Sequence, residues 1–207
     1  MIVLPRQQAI FVHVPKTGGD SISRFLLNNV PEARHSGGGK HWAPWMHEGH
    51  WRAWFKFGFV REPVSWYRSF YSFINDYYIV PHGTYPEFEK GLYHPMRRWE
   101  KYDFSSFNAM VESIYKKEPA YYTRLVDWML GPPDSRMINS IGKQENLKED
   151  FATVLCRLGL NHLVPKWKKQ MPRINISPSN FKADPWIVQL IQDFETSIYN
   201  RFNYRKK

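Results

Sequence analysis

The nine residues His13-Val14-Pro15-Lys16-Thr17-Gly18-Gly19-Asp20-Ser21 bring a cation, hydroxyls and two glycines into one short stretch. Lys16 carries a full positive charge, and its compact ammonium suits a negatively charged leaving-group oxygen. Thr17 and Ser21 supply hydroxyl donors, while Gly18 and Gly19 let the backbone come close to an anion. The apolar run Ala9-Ile10-Phe11-Val12-His13-Val14 before the loop predicts a buried strand, and Ile22, Phe25 and Leu26 after it recur at helical spacing. The first N–H groups of a helix lack internal partners, and the helix dipole adds positive charge there. A glycine loop between strand and helix is therefore a natural phosphate site. The bland alternative is a structural turn with a surface lysine. The order of residues also differs from the nucleoside-triphosphate loop, in which Gly-Lys-Ser/Thr closes a longer segment.

A second anion motif lies in Phe57-Gly58-Phe59-Val60-Arg61-Glu62-Pro63, where a strand over 55–60 ends on a charged residue. Pro63 suits the first turn of a following helix, since its missing N–H costs nothing there. Ser69, eight positions after Arg61, then falls in the second turn of that helix. The planar fork of arginine matches a phosphate, and a nearby hydroxyl adds a donor. An ion pair between Arg61 and Glu62 is the structural alternative.

Together the two motifs resemble those of sulfotransferases that use 3′-phosphoadenosine-5′-phosphosulfate (PAPS). The likeness is greatest to the carbohydrate branch that includes heparan-sulfate 2-O- and chondroitin sulfotransferases. The resemblance implies that Pro15, Lys16, Thr17, Gly18, Gly19, Asp20 and Ser21 form the 5′-phosphosulfate loop. It gives Lys16 the catalytic role at the departing phosphate, and Arg61 and Ser69 the grip on the 3′-phosphate. Asp20 departs from the usual Thr or Ser, and is expected to turn from the anion and cap the helix. Trp66 stands where the family often has another arginine, with Arg68 close by. Ile141-Gly142-Lys143-Gln144-Glu145-Asn146-Leu147-Lys148-Glu149-Asp150-Phe151 is similar to a weaker family segment, from which Lys143 and Gln144 depart. The closing Asp193-Phe194 to Asn203-Tyr204 pattern is also similar and reads as core helix. The implied fold is a P-loop-like three-layer α/β arrangement, with a central parallel sheet flanked by helices. The implied chemistry is direct in-line sulfuryl transfer to an acceptor hydroxyl, leaving 3′,5′-bisphosphoadenosine (PAP), with no metal.

Sulfuryl transfer depends on positioning and charge stabilisation, and a base assists the acceptor hydroxyl. Histidine suits that task near neutral pH. Between the two motifs lie His41, His47 and His50. A histidine in this interval often serves as base in the resembling family, and His41 fits best, with Glu48 in reserve. His47-Glu48-Gly49-His50 is not a zincin motif, because its histidines are three apart rather than four. His82 and His94 lie in an irregular stretch, as exposed loop histidines or as part of an acceptor cleft. Trp42, Trp45, Trp51 and Trp54 either stack on a sugar or pack in the core.

Further elements follow from pattern. A helix runs from Pro63 through Tyr78, and a capped helix from Ser105 or Ser106 to Lys117. A strand spans Arg136 to Ile141. Asn146 and Glu149 suggest a capping box before a helix presenting Leu147, Phe151, Leu155 and Leu158, with Gly159 as its stop. Asp184-Pro185 opens a last helix that turns Ile187, Leu190, Ile191, Phe194 and Ile198 inward. Residues 31–40, with Gly37-Gly38-Gly39, read as loop. Strands alternating with helices predict an α/β fold with a mainly parallel sheet.

A length of 207 residues predicts a single domain, 1–207. The formal net charge of +10 favours anionic partners, an anionic glycan among them, while the charges are too scattered for a nucleic-acid surface. The single cysteine, Cys156, precludes an internal disulfide and is expected to be buried. No segment has the apolar length of a membrane span. Residues 1–8 lack the apolar core of a secretory signal, so the expectation is a cytoplasmic protein; a trimmed Golgi-lumenal domain would look similar. A nucleotide or sugar kinase and a non-catalytic nucleotide-binding module are the rival functions. Acceptor identity and oligomeric state are not legible.

Overall fold

The computed structural model describes residues 1–36, 41, 50–79, 101–172 and 182–206. Gly37 to Lys40, Trp42, Trp45, His47, Glu48, His82 and His94 lie outside the described residues, as do the side chains of His50 and Trp51. The strands are β1 (Ile2–Leu4), β2 (Ala9–Val12), β3 (Arg34–His35), β4 (Phe55–Val60) and β5 (Ser140–Lys143). The helices are α1 (Gly19–Asn29), α2 (Pro63–Ile74), α3 (Phe107–Lys117), α4 (Tyr121–Leu130), α5 (Leu147–Arg157), α6 (Val164–Gln170), α7 (Pro185–Phe194) and α8 (Thr196–Arg201). Two compact units result, Met1–Arg61 with Val126–Ile174, and Glu62–Leu125 with Asn175–Lys207.

The first unit holds a five-stranded sheet in the order β3-β1-β2-β4-β5. β2, β4 and β5 run parallel, with Phe11 opposite Phe57 and Phe59 opposite Gly142. Every residue of β2 is buried, as expected for a central strand covered on both faces. Phe11, Phe57 and Phe59 point to one face, where Ile22, Phe25 and Leu26 of α1, Phe151 and Leu155 of α5 and Trp167 of α6 cover them. Burying one such ring contributes about 1.5–3 kcal/mol. Gly58 points to the opposite face, where a Cβ would lie 2.6 Å from Leu130 of α4. Helices on both faces make the expected three-layer α/β fold.

The sheet has an antiparallel margin that the sequence pattern did not suggest. β1 pairs antiparallel with both β2 and β3. The turn between β1 and β2 closes with Gln8 N–H on the Pro5 carbonyl, at 3.1 Å. β3 has two residues, both exposed, which carry no period. β5 starts at Ser140 rather than Arg136. Before it, Asn139 mimics a strand residue: its N–H donates to the Lys56 carbonyl at 2.8 Å, and its Oδ1 accepts from the Lys56 N–H at 2.7 Å.

The expected capping box of α5 does not form. Asn146 sits at the N-cap without a side-chain cap bond. Asp150 takes both local donors instead, the Asn146 amide at 2.6 Å and the Lys143 N–H at 2.7 Å. Gly159 ends this region with φ +71, as expected of a left-handed stop. Cys156 is exposed, contrary to expectation, because it lies off the face that buries Phe151 and Leu155.

The second unit is built on aromatic residues of α2, α3 and the start of α4. Trp66 is fully buried and stacks on Tyr122 at 4.5 Å and 16°. Phe70 lies nearly parallel to Tyr121 at 6.3 Å and 12°. Ser106 caps α3 as expected, accepting from the Ala109 N–H at 3.1 Å. The α-helical part of α2 ends at Ile74 and passes into a π turn over Asn75–Ile79, short of the Tyr78 expected.

Glu195 organises this unit. It is 0 % exposed and interrupts the expected last helix, dividing it into α7 and α8. Its backbone leaves the helical region so that the carboxylate can point inward, and Phe194 stays exposed, stacked on Tyr115 at 4.6 Å. Oε1 accepts from the Tyr67 hydroxyl at 2.7 Å, the Tyr115 hydroxyl at 3.3 Å and the Tyr122 N–H at 3.2 Å. Oε2 accepts from the Thr123 N–H at 2.8 Å and the Thr123 hydroxyl at 2.6 Å. Ala120, just before α4, has φ 54 and no side-chain acceptor, so Glu195 serves as the missing cap. Burial, then the charge of Glu195, pushes the Tyr67 and Tyr115 hydroxyls well above their ordinary range, which keeps both as neutral donors.

Glu195→Gln preserves shape but turns one acceptor oxygen into a donor facing donors. It should lower the unfolding free energy by about 3 kcal/mol, the upper range for a hydrogen bond to a charged group. The readout is a lower urea midpoint with an unchanged m value. A midpoint equal to that of the parent protein would contradict the assignment.

Candidate active site

The loop after β2 is held from within. Thr17 is buried, and its hydroxyl donates to the Val14 carbonyl at 2.9 Å. That proton is committed to the turn, so Thr17 differs from the free hydroxyl donor expected of it. Lys16 has φ 66 and Gly18 φ 82, with Thr17 between them outside the left-handed region. Alternating backbone hand of this kind turns successive N–H groups toward one side and forms an anion-binding concavity. A left-handed lysine is uncommon and stores strain, a feature that concentrates at functional sites.

Gly18 is the N-cap of α1 and makes no side-chain cap bond. Asp20 stands in the first turn, two residues past that N-cap, where a negative charge is favourable to the dipole. Ser21 follows, buried, with its N–H on the Gly18 carbonyl at 3.1 Å.

Each glycine answers a particular neighbour. A Cβ on Gly19 would lie 2.1 Å from Cδ2 of His13, so the imidazole packs directly on bare backbone. A Cβ on Gly18 would lie 2.8 Å from Leu147 and 3.5 Å from Gln144. The segment after β5 thus borders the loop, and Gln144, a departure from the family pattern, is beside it. From the end of β4, Arg61 Nη1 donates to the Lys16 carbonyl at 3.4 Å. The carboxyl ends of three parallel strands converge here, the usual place for ligands in open α/β sheets.

His41 reaches the same loop. Its ring is 5 % exposed, with Nδ1 2.9 Å from the His13 carbonyl. A carbonyl only accepts, so Nδ1 carries the proton, and the lone pair of the neutral ring is on Nε2. The His13 and His41 rings lie 4.6 Å apart at 55°. His13 itself was not singled out in the sequence. Its signal was its place two residues after Phe11 on the same face of a strand, directly before the loop.

In the second unit, Ser69 is buried in the second turn of α2. Glu62 caps that helix, accepting from the Val64 N–H at 3.1 Å and the Ser65 N–H at 2.7 Å, and it also accepts from the Tyr199 hydroxyl. Trp66, at the position where an arginine was considered, belongs to the aromatic core and not to an anion site.

A profile of the sulfotransferase family matches residues 1–201. The chain belongs to the sulfotransferase family. No curated protein and no solved structure matches it. The family match spans both anion motifs and both compact units. It agrees with the α/β fold and with sulfuryl transfer as the general chemistry of this sulfotransferase-family chain.

The contact between Gly19 and His13 can be tested directly. Gly19→Ala should destabilise the protein by about 1–3 kcal/mol, the range for overpacking a core. His13→Ala in the same chain should return part of that loss, giving a non-additive double-mutant cycle. Strict additivity of the two thermal shifts would show that the ring and the glycine are independent.

Proposed function

We propose that the protein is a PAPS-dependent sulfotransferase, with residues 1–207 as one catalytic domain and a carbohydrate hydroxyl as acceptor. The observation that carries this reading is the loop 15–21, where a lysine, a left-handed backbone turn and a helix N-terminus coincide at a strand end. Pro15 shapes the entry to the loop. The N–H groups of Thr17 to Asp20 and the Ser21 hydroxyl hold the 5′-phosphosulfate. Arg61 and Ser69 hold the 3′-phosphate. The positive net charge of the chain favours an acidic glycan over a neutral one.

In the reaction the acceptor oxygen attacks sulfur in line with the bond to the 5′-phosphate. Nε2 of His41 takes the hydroxyl proton as the oxygen–sulfur bond forms. The sulfur–oxygen bond to phosphate breaks, its electron pair stays on the phosphate oxygen, and the Lys16 ammonium stabilises that charge. The products are the sulfate ester, PAP and protonated His41, which releases its proton to solvent.

A ligand that binds the native state raises its melting temperature. PAP should therefore stabilise the protein far more than AMP, and Arg61→Ala should remove most of the difference. Equal shifts with the two nucleotides would sink the 3′-phosphate assignment.

Turnover supplies an independent check. With labelled PAPS and an acidic glycan, His41→Ala should lower kcat by roughly two to four powers of ten, the usual contribution of a general base. Its acidic pH limb should flatten as well. Lys16→Ala should also act mainly on kcat, because the charge it meets appears in the transition state. Near-normal kcat in either variant would remove that residue from the mechanism.

A further inference from the structure

We infer that His13 is a positioning residue for His41, fixing both the tautomer and the plane of its imidazole; this rests on the reading of His41 as the base. One residue supplies both contacts. The His13 carbonyl, 2.9 Å from His41 Nδ1, accepts the Nδ1 proton and leaves the lone pair on Nε2. The His13 ring, 4.6 Å from the His41 ring, packs beside it with both side chains buried.

His13 is itself held rigidly. Phe11, two residues earlier on the same strand face, stacks on it at 5.7 Å and 23°. Phe11 stacks in turn on Phe57 at 5.3 Å, and Phe57 on Phe151 at 6.2 Å. On its other edge the His13 ring meets the bare backbone of Gly19. A row of rings therefore runs from the helix-covered core to His41, and the glycine closes the row at the start of α1. Groups whose rotamers are locked by such packing hold a reacting atom within the narrow tolerance that transfer demands.

Ala9, Ile10, Phe11 and Val12 are 0 % exposed, and His13 continues them at 2 %. What His13 gives His41 is a flat ring and a backbone carbonyl, and phenylalanine at position 13 would keep both.

The test combines a spectroscopic and a kinetic readout on the full chain. Nitrogen-15 spectra of the ligand-free protein report which imidazole nitrogen of His41 carries the proton. The parent protein should show the Nδ1–H form, and His13→Ala, which keeps the backbone carbonyl, should keep that form. With labelled PAPS, His13→Ala should lower kcat at least about tenfold while KM for PAPS changes less than about twofold, as for a misplaced reacting group. His13→Phe should recover most of that loss and keep the Nδ1–H form. If the parent protein shows the Nε2–H form, the inference is wrong. It is equally overturned if His13→Ala leaves kcat unchanged, or if His13→Phe is as impaired as His13→Ala. Should His13→Ala fail to fold, the parent tautomer and the Phe variant still decide the matter. The tautomer readout needs no sulfate donor. Failure of the sulfotransferase reading, seen as no turnover by the parent protein, is thus separable from failure of this inference.

Discussion

The missing side chain at Gly19 is the constraint on which the site depends. Because no Cβ stands there, the His13 ring can lie on the first turn of α1. That contact sets how closely the helix approaches the end of β2, and with it the depth of the loop between them. Lys16 and Gly18 adopt left-handed backbone to complete the short crossing. Arg61 reaches the loop through the Lys16 carbonyl, while Leu147 and Gln144 bound it at Gly18. Larger residues at 18 or 19 would force apart the strand ends that must meet there.

The parallel core and the loop were legible in the sequence because their signals are local. A continuous apolar run marked β2, and an apolar run ending in Arg61 and Pro63 marked β4 and the start of α2. Lys16, Gly18 and Gly19 marked the loop as the candidate anion site through residue type alone. The antiparallel margin was not legible: β1 has three residues and β3 two exposed ones, too few to show a period. The cap of α5 was misread for a different reason. Asn146 and Glu149 have the right types, yet Asp150, one position further, captures the donors in three dimensions. Thr17 teaches the same lesson within the candidate site. Its chemistry was plain, but whether a hydroxyl faces a ligand or its own backbone depends on turn geometry that residue type does not report.

Two glutamates show how differently one residue type can solve one problem. Glu62 caps α2 locally, from the position next to the proline that begins it. Glu195 caps α4 from 73 residues beyond its first N–H partner, behind an alanine that has nothing to offer. Local capping can be read from sequence, whereas the remote case cannot, and position 195 looked like an ordinary turn of a terminal helix. Each carboxylate is also bonded by tyrosine, Tyr199 for Glu62 and Tyr67 with Tyr115 for Glu195. The buried charge of Glu195 is met by donors on both oxygens, which is the condition for burying it.

Glu195 bears on how the chain comes into being. A ribosome delivers residues in order, and domains generally fold as units once their parts are available. The start of α4 lacks its cap until position 195 has been made, 73 residues after Tyr122. Until then, Tyr67, Tyr115, Tyr122 and Thr123 wait without their common acceptor. The second unit therefore cannot complete this cluster before Glu195 has left the ribosome, and a polypeptide cut short before Glu195 leaves its aromatic surfaces available to chaperones and proteases.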